Sequence, residues 1–163
     1  MGSSFVLVKE REMLQLERRT RLSVEEKKQC EQLVRDCHKI DQTYRLPYLD
    51  NFYNTDSSMP SFILALVEDQ LVGFLSIYAD EPKEAEVQLF VTPLFRRQGI
   101  ARSLWDDFMD LAQDYQLEDR LYVSEVRFLE QHPDLLSHFH LVEAEEEDHE
   151  LWLEAPWQIS NLE

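Results

Sequence analysis

Residues 85–105 read AEVQLFVTPLFRRQGIARSLW, and this stretch contains the clearest secondary-structure pattern of the chain. Polar and apolar residues alternate at its start, which predicts a strand over residues 86–91. Over residues 101–115 apolar side chains recur at the 3.6-residue period of an amphipathic helix. A basic turn containing Gly99 joins the two. This order predicts an anion-binding cradle, because the unpaired N–H groups of a first helical turn point away from the helix.

The turn has two features that favour a bound anion. Gly99 is one of only three glycines in the chain, and a glycine lets the backbone approach a ligand with no Cβ in the way. Arg96, Arg97 and Arg102 place positive charge there in a chain whose formal net charge is −17. On pattern alone, an ordinary strand–turn–helix with solvated arginines explains the segment equally well.

The same stretch resembles the acyl-CoA-binding core of the GNAT acyltransferases. The family signature is Arg or Gln, two residues, Gly, one residue, then Gly or Ala, and Arg96, Gly99 and Ala101 meet it. Two further segments match the family, VTPLFR at residues 91–96 and VGFL at residues 72–75. The resemblance covers roughly residues 60–155. It implies a mixed α/β (α+β) fold, with a central, mostly antiparallel, splayed sheet flanked by helices.

The resemblance also implies acetyl-CoA as cosubstrate and a site for it. The backbone of the strand before the turn would contact the pantetheine arm, and the amides of residues 97–102 would hold the pyrophosphate. The donor-binding residues implied in this way are Leu89, Phe90, Val91, Arg96, Arg97, Gln98, Gly99, Ile100, Ala101 and Arg102.

The implied reaction is acetyl transfer to a primary amine by direct attack in a ternary complex, which needs positioning and a proton acceptor. The period of two puts Glu86, Gln88 and Phe90 on the strand face opposite Val87 and its neighbours. Glu86 matches an acidic position often used in the family, so Glu86 and Gln88 are the catalytic candidates. A solvent-exposed strand end is the alternative. No Gly-x-Ser-x-Gly nucleophile elbow occurs.

The chain departs from the family where many members carry an Asn and a proton-donating Tyr. No Asn occurs between Asn54 and Asn161, and Leu136 stands where the Tyr would be. Ser137, His138 and Tyr122 are candidate replacements. Two alternatives to an active enzyme follow: a non-catalytic CoA-binding or protein-interaction module with a degenerate GNAT fold, and part of a longer two-domain acyltransferase.

Charge and composition limit the classes of molecule that this protein can bind. A strongly acidic chain repels nucleic acid and favours a small-molecule amine or a basic peptide. The acidic residues between Glu143 and Glu150 form either a solvated loop or the mouth of an amine site. The histidines at 132, 138, 140 and 149 lack a third ligand at good spacing, so no metal site is expected.

One acyltransferase domain over residues 1–163 is expected, with residues 1–4 interpreted as a candidate expression scar and residues 155–163 as a tail or the start of a linker. No apolar run reaches the ~20 residues of a membrane span, and no signal peptide is recognisable, which predicts a cytoplasmic protein. Cys30 and Cys37 share a helix face and are expected to be buried thiols. Trp152 and Trp157 are candidates for a homodimer surface.

The remaining chain gives a coarse element order. A capping box at Ser23–Glu26 predicts a helix to about Lys39, while residues 13–19 fit strand or helix equally. The aperiodic residues 41–60 predict a long loop or short helical turns, with Tyr44, Tyr48, Phe52 and Tyr53 as candidate pocket walls. The other predicted elements are strands over 5–8, 62–68, 71–79 and 121–124, a helix over 128–139 broken near Pro133, and a final hairpin over 141–144 and 150–153.

Overall fold

A computed structural model describes residues 5–9, 12–147 and 150–155, with side chains over residues 13–142. Groups of strands are separated by helices along the chain. The elements are β1 (Phe5–Lys9), β2 (Glu12–Arg19), α1 (Val24–Asp41), β3 (Phe62–Val67), β4 (Gln70–Glu81), β5 (Glu84–Val91), α2 (Ile100–Asp114), β6 (Asp119–Glu125), α3 (Val126–Gln131), α4 (Leu135–His138), β7 (Val142–Glu147) and β8 (Glu150–Ala155), with a short 3₁₀ turn at Pro93–Phe95.

The strands form one eight-stranded sheet in the order β1-β2-β3-β4-β5-β6-β8-β7. Every neighbouring pair is antiparallel except β5 and β6, which run parallel. A parallel connection needs a crossover, and α2 supplies it. The predicted mixed α/β architecture with a mostly antiparallel sheet is therefore confirmed.

Each face of the sheet has its own apolar core. On one face α2 buries Leu104, Phe108 and Leu111 against the sheet, including Val87 of β5. On the other face α1 packs onto Phe62, Leu64 and Phe74 through a stripe that contains both cysteines. The two cysteines are free thiols and are buried, as predicted. Desolvation raises the pKa of Cys30 to about 12 and that of Cys37 to about 11.

Strand pairing resolves one element that the sequence left open and shifts one predicted turn by a residue. Residues 13–19 form strand β2, because they pair with β3 and bury Leu14 and Leu16. The β3–β4 hairpin turns at Glu68–Asp69, one residue before the predicted Asp69–Gln70. Both turn residues have positive φ, as a two-residue loop of this kind requires.

The helices largely follow their sequence signals. Ser23 and Glu26 form the predicted capping box, with both reciprocal hydrogen bonds present. The predicted helix over 128–139 is two short helices, α3 and α4, separated at His132–Asp134 around the proline. Pro133 explains the break, because it has no N–H to continue the helix and disfavours helical backbone before it.

Residues 42–61 cross the sheet without a helix or strand and are tied down near their end. Asn54, itself buried, donates to the Ser61 hydroxyl and the Ile77 carbonyl and accepts from the Ala79 N–H. The loop is therefore anchored to β4 by hydrogen bonds. Within the described part of the chain, no helix is long and apolar enough to cross a membrane.

Several predicted features lie outside the described residues. These are the candidate scar at residues 1–4, the side chains of the acidic Glu143–Glu150 segment, the side chain of Trp152, and the tail with Trp157.

Candidate active site

Strands β5 and β6 separate part-way along their length. They pair from Glu84–Asp119 to Val87–Tyr122, and the pairing ends there although both strands continue for several residues. A cavity of about 480 Å³ occupies the gap and extends to the first turn of α2. Its walls are the ends of the two strands, the basic turn, and α3 and α4. The split leaves unpaired strand edges facing a space large enough for an extended ligand.

The basic turn has the backbone geometry of an anion site. Arg97 and Gly99 both have left-handed φ, at 63° and 83°. A Cβ built on Gly99 would meet no protein atom within 4 Å. Among the described residues, no protein acceptor takes a hydrogen bond from the backbone N–H groups of residues 97–102. These orphan donors at the start of a fifteen-residue helix fit a phosphate-bearing ligand.

Arg96 does not direct its charge at this turn. Its guanidinium forms a bidentate ion pair with the buried Asp41, at 2.7 Å for each bond, and its Nε donates to the Val91 carbonyl at 3.0 Å. The Cys37 thiol donates to the same carbonyl at 3.3 Å. Arg96 thus ties the end of α1 to the end of β5 and stabilises the turn from behind.

The other two arginines differ from each other. Arg102 pairs with Asp106 one helical turn on and donates to the His138 carbonyl, both on the surface. Arg97 is exposed, and its guanidinium has no acceptor among the described residues. Arg97 is therefore the arginine of the predicted three that is available to an incoming anion.

The predicted alternation of β5 is confirmed. Val87 and Leu89 pack on the α2 side, and Phe90 stacks on Phe74 on the α1 side at 5.4 Å between ring centroids. Ile100 is buried beneath the turn, and the Gln98 Oε1 atom is buried without a hydrogen-bond partner.

Residues of α3 form the far wall of the cavity and were not found by sequence reasoning. The rings of Phe128 and His132 pack at a tilt of 36° with their centroids 4.3 Å apart, and the buried His132 Nε2 has no partner among the described residues. Burial, then Arg96 and Arg97, lower the pKa of His132. The neighbouring Glu125 is buried, and its carboxylate accepts from the N–H groups of Tyr44 and Arg45, both at 2.8 Å. No local pattern marks these residues, since the split strand brings them together.

A second cavity, of about 340 Å³, lies on the α1 side of the sheet under the 42–61 loop. Both catalytic candidates, Glu86 and Gln88, line it. It shares Arg45, Gln88 and Val123 with the first cavity, so the two spaces meet at the split between the strands. Gln88 Nε2 donates to the Leu46 carbonyl at 3.3 Å and fixes the loop over the strand.

The aromatic residues of the loop have different positions. Tyr48 lines the second cavity and meets Tyr78 edge-on at 5.0 Å. Its hydroxyl accepts from the Tyr53 N–H at 2.8 Å. Tyr44, Phe52 and Tyr53 are exposed and line neither cavity. One of the four predicted pocket aromatics is therefore at the candidate site.

Two of the three candidate replacements for the missing family Tyr lie at the first cavity, and the third does not. Tyr122 and His138 line the first cavity, and burial raises the pKa of Tyr122 to about 12. Ser137 is exposed and its hydroxyl donates to the Asp134 carbonyl, while Leu136 packs against the apolar core. In the described part of the chain, no cluster of three or more His, Cys, Asp or Glu side chains has the arrangement of a metal site.

The sequence matches the family model described as Acetyltransferase (GNAT) family over residues 27–133, which is more than half of the chain. No curated protein matches it.

Solved structures share this fold. An acetyltransferase from Streptococcus agalactiae has a TM-score of 0.72 and 13% identity, covering 88% of this chain and 98% of its own. PaiA N-acetyltransferase from Thermoplasma acidophilum, in complex with coenzyme A, has a TM-score of 0.67 and 14% identity, covering 86% and 98%. Diaminobutyrate acetyltransferase EctA from Paenibacillus lautus, in complex with L-2,4-diaminobutyric acid and coenzyme A, has a TM-score of 0.64 and 16% identity, covering 88% and 95%.

Proposed function

Because the chain belongs to the GNAT acetyltransferase family, we propose that it transfers an acetyl group from acetyl-CoA to a primary amine by direct attack in a ternary complex. The observation that carries the proposal is the meeting of two cavities at Gln88, where β5 separates from β6. The first cavity leads to the anion site and suits acetyl-CoA, so we call it the donor cavity. The second opens on the opposite face of the sheet and suits the amine, so we call it the acceptor cavity.

Strand β5 can hold the donor through alternate backbone groups. The Thr92 N–H donates to the Val72 carbonyl of β4. In an antiparallel pair, the backbone N–H and C=O groups of successive residues point to opposite sides of the strand. The groups of Phe90 therefore point to β4, and those of Leu89 and Val91 point to the gap between β5 and β6. The Val91 carbonyl already accepts from Arg96 and Cys37. We therefore assign the pantetheine contacts to Leu89 and the Val91 N–H, and only the Phe90 side chain stays near this part of the site.

The basic turn would hold the pyrophosphate. Its N–H groups at residues 97–102 have no protein acceptors among the described residues, and Arg97 adds the available positive charge. An anion is stabilised there by the helix dipole and by several converging donors.

In the chemical step the amine nitrogen bonds to the acyl carbon, the C–S bond breaks, the amine loses a proton and the thiolate leaves. Glu86 faces the acceptor cavity beside Tyr78 and is the candidate proton acceptor, directly or through water. A thiol has an ordinary pKa of ~8.5, so a thiolate leaves readily without a strong acid. The neutral Tyr122 at the split can donate a hydrogen bond to the leaving sulfur.

The acceptor is expected to be cationic in solution. Glu86 lines its cavity, and Asp80 accepts a hydrogen bond from Tyr78 at the rim. The formal net charge of −17 extends the attraction beyond the site. We take residues 1–163 as one acyltransferase domain, and we infer a cytoplasmic location from the two buried free thiols.

A CoA-binding module without turnover is the second candidate, because Leu136 offers no proton where many relatives carry Tyr. A panel of amines with acetyl-CoA, read as free thiol, separates the two. The acyltransferase predicts saturable, amine-dependent thiol release that weakens in Glu86→Gln. Tight CoA binding with no release from any amine would assign the non-catalytic module.

A further inference from the structure

The floor of the acceptor cavity consists of two cross-strand pairs of β4 and β5. Ser76 lies opposite Gln88, and Tyr78 lies opposite Glu86. The next pair along, Phe74 and Phe90, is apolar and packs against the core beneath α1. The face becomes polar beyond that pair, where the 42–61 loop forms the roof of the cavity. The two polar pairs therefore line the cavity, whereas the apolar pair packs in the core.

Ser76 is a buried polar residue whose hydroxyl has no hydrogen-bond partner among the described residues. The residue is 3% exposed and lines the cavity. No described residue forms a hydrogen bond with its side chain. The hydroxyl is not one of the fully enclosed side-chain atoms without a partner in the described part of the chain, so it is accessible from the cavity and not sealed in the core. A ligand group in the cavity can therefore donate a hydrogen bond to the Ser76 hydroxyl.

Gln88 provides a second hydrogen-bond acceptor beside the Ser76 hydroxyl. Its Nε2 donates to the Leu46 carbonyl, which can only accept, so the side-chain carbonyl Oε1 is directed elsewhere. No hydrogen bond to that oxygen occurs among the described residues. Directly opposite residues of an antiparallel pair have Cβ atoms about 4.5–5.5 Å apart, so one small group can reach both side chains. Gln88 also borders the donor cavity.

Building on the proposed acetyl transfer, we propose that the Ser76 hydroxyl and the Gln88 side-chain carbonyl together receive the amino group of the acceptor. A neutral primary amine has two N–H donors and one lone pair. Donating one N–H to each oxygen leaves the lone pair free for the acyl carbon held at the split. A secondary amine has one N–H and leaves one of the two oxygens unpaired, so the pair selects primary amines.

Butylamine and N-methylbutylamine are the probes that test this assignment, with wild-type protein and Ser76→Ala. The variant should raise the KM for butylamine about tenfold, the size of one lost hydrogen bond, and leave the KM for acetyl-CoA unchanged. The preference for butylamine over N-methylbutylamine should fall by a similar factor. Its melting temperature should stay the same, because the Ser76 hydroxyl forms no hydrogen bond with the described residues that the substitution could remove.

Ser61→Ala is the matched control. Ser61 is also buried, but its hydroxyl accepts from Asn54 and donates to the Met59 carbonyl. That variant should lower the melting temperature and leave the amine preference unchanged. A lower melting temperature for Ser76→Ala, or an unchanged butylamine KM, overturns the assignment. No thiol release by wild-type protein with any amine contradicts the proposed function itself, whereas release with an unchanged amine preference in Ser76→Ala contradicts only the role of Ser76.

Discussion

Arg96 is a residue of the family signature, but its side chain bonds to other residues of the protein and not to the anion site. Its side chain joins Asp41 at the end of α1 to the Val91 carbonyl at the end of β5. The side chain of Asp41 is 4% exposed and that of Arg96 is 21% exposed. The side-chain hydrogen bonds to Asp41 are the main cause of the raised pKa of Arg96. The pair therefore holds the basic turn against the α1 layer.

Removing one partner of this ion pair should be costly. Asp41→Ala leaves a largely buried guanidinium without its carboxylate, and we expect a loss of about 2–4 kcal/mol in the free energy of unfolding. Urea denaturation measures it. The matched control is Asp106→Ala, which removes the exposed partner of Arg102 and should cost under about 0.5 kcal/mol. Equal losses in the two variants would contradict a structural role for Arg96.

At the scale of elements, the split between β5 and β6 and the loop over the sheet depend on each other. Glu125, at the end of β6, accepts the N–H groups of Tyr44 and Arg45 where the loop begins. Asn54 anchors the loop near its other end. The acceptor cavity is thus roofed by a segment that is fixed on both sides.

Glu125→Ala should release the beginning of this loop. We expect faster amide hydrogen exchange over residues 43–48 and a lower kcat/KM for the amine, with exchange in β4 unchanged. Each lost charged hydrogen bond contributes about 1.5–3 kcal/mol locally. Glu130→Ala, at an exposed position of α3, is the control and should change neither quantity. Unaltered exchange over residues 43–48 in Glu125→Ala would show that the loop is held by other contacts.

The sequence carries the local parts of this architecture and not the distant ones. The alternation before Val91, the turn at Gly99 and the capping box at Ser23 are short-range patterns, and the structure follows them. The point where β5 leaves β6 depends on pairing between segments some 35 residues apart, as the Val87–Tyr122 register shows. Asp41, the partner of Arg96, is more remote still, 55 residues away in sequence. The 42–61 loop is held by single hydrogen bonds that leave no periodic pattern in the sequence.

At the scale of the whole molecule, the two proposed substrates carry opposite charge, and the protein around them is acidic. The formal net charge of −17 attracts a cationic amine and repels the anionic phosphates of the donor. Surface attraction and repulsion are screened over about 8–10 Å at 0.1–0.15 M salt. Long-range steering therefore affects the two substrates in opposite directions.

Raising the ionic strength should raise the KM of a cationic amine and lower or leave unchanged that of acetyl-CoA. Initial-rate kinetics from low to 0.5 M salt measure both. A neutral osmolyte at matched osmolarity is the control and should move neither constant. A flat response of the amine KM, or a preference for neutral or anionic acceptors, would count against electrostatic steering by the acidic surface.

Calorimetric titration of CoA into wild-type protein and Gly99→Glu measures whether the basic turn binds the phosphates of CoA. A glutamate at φ +83° puts a side chain and a negative charge where, in the proposed site, the backbone N–H groups of the turn would hold the pyrophosphate. Gly99→Ala is the control for backbone strain alone, since its Cβ meets no protein atom within 4 Å. We predict saturable binding to wild-type protein, weaker binding to Gly99→Ala and no binding to Gly99→Glu, whereas the same affinity in all three proteins would contradict a CoA site at this turn.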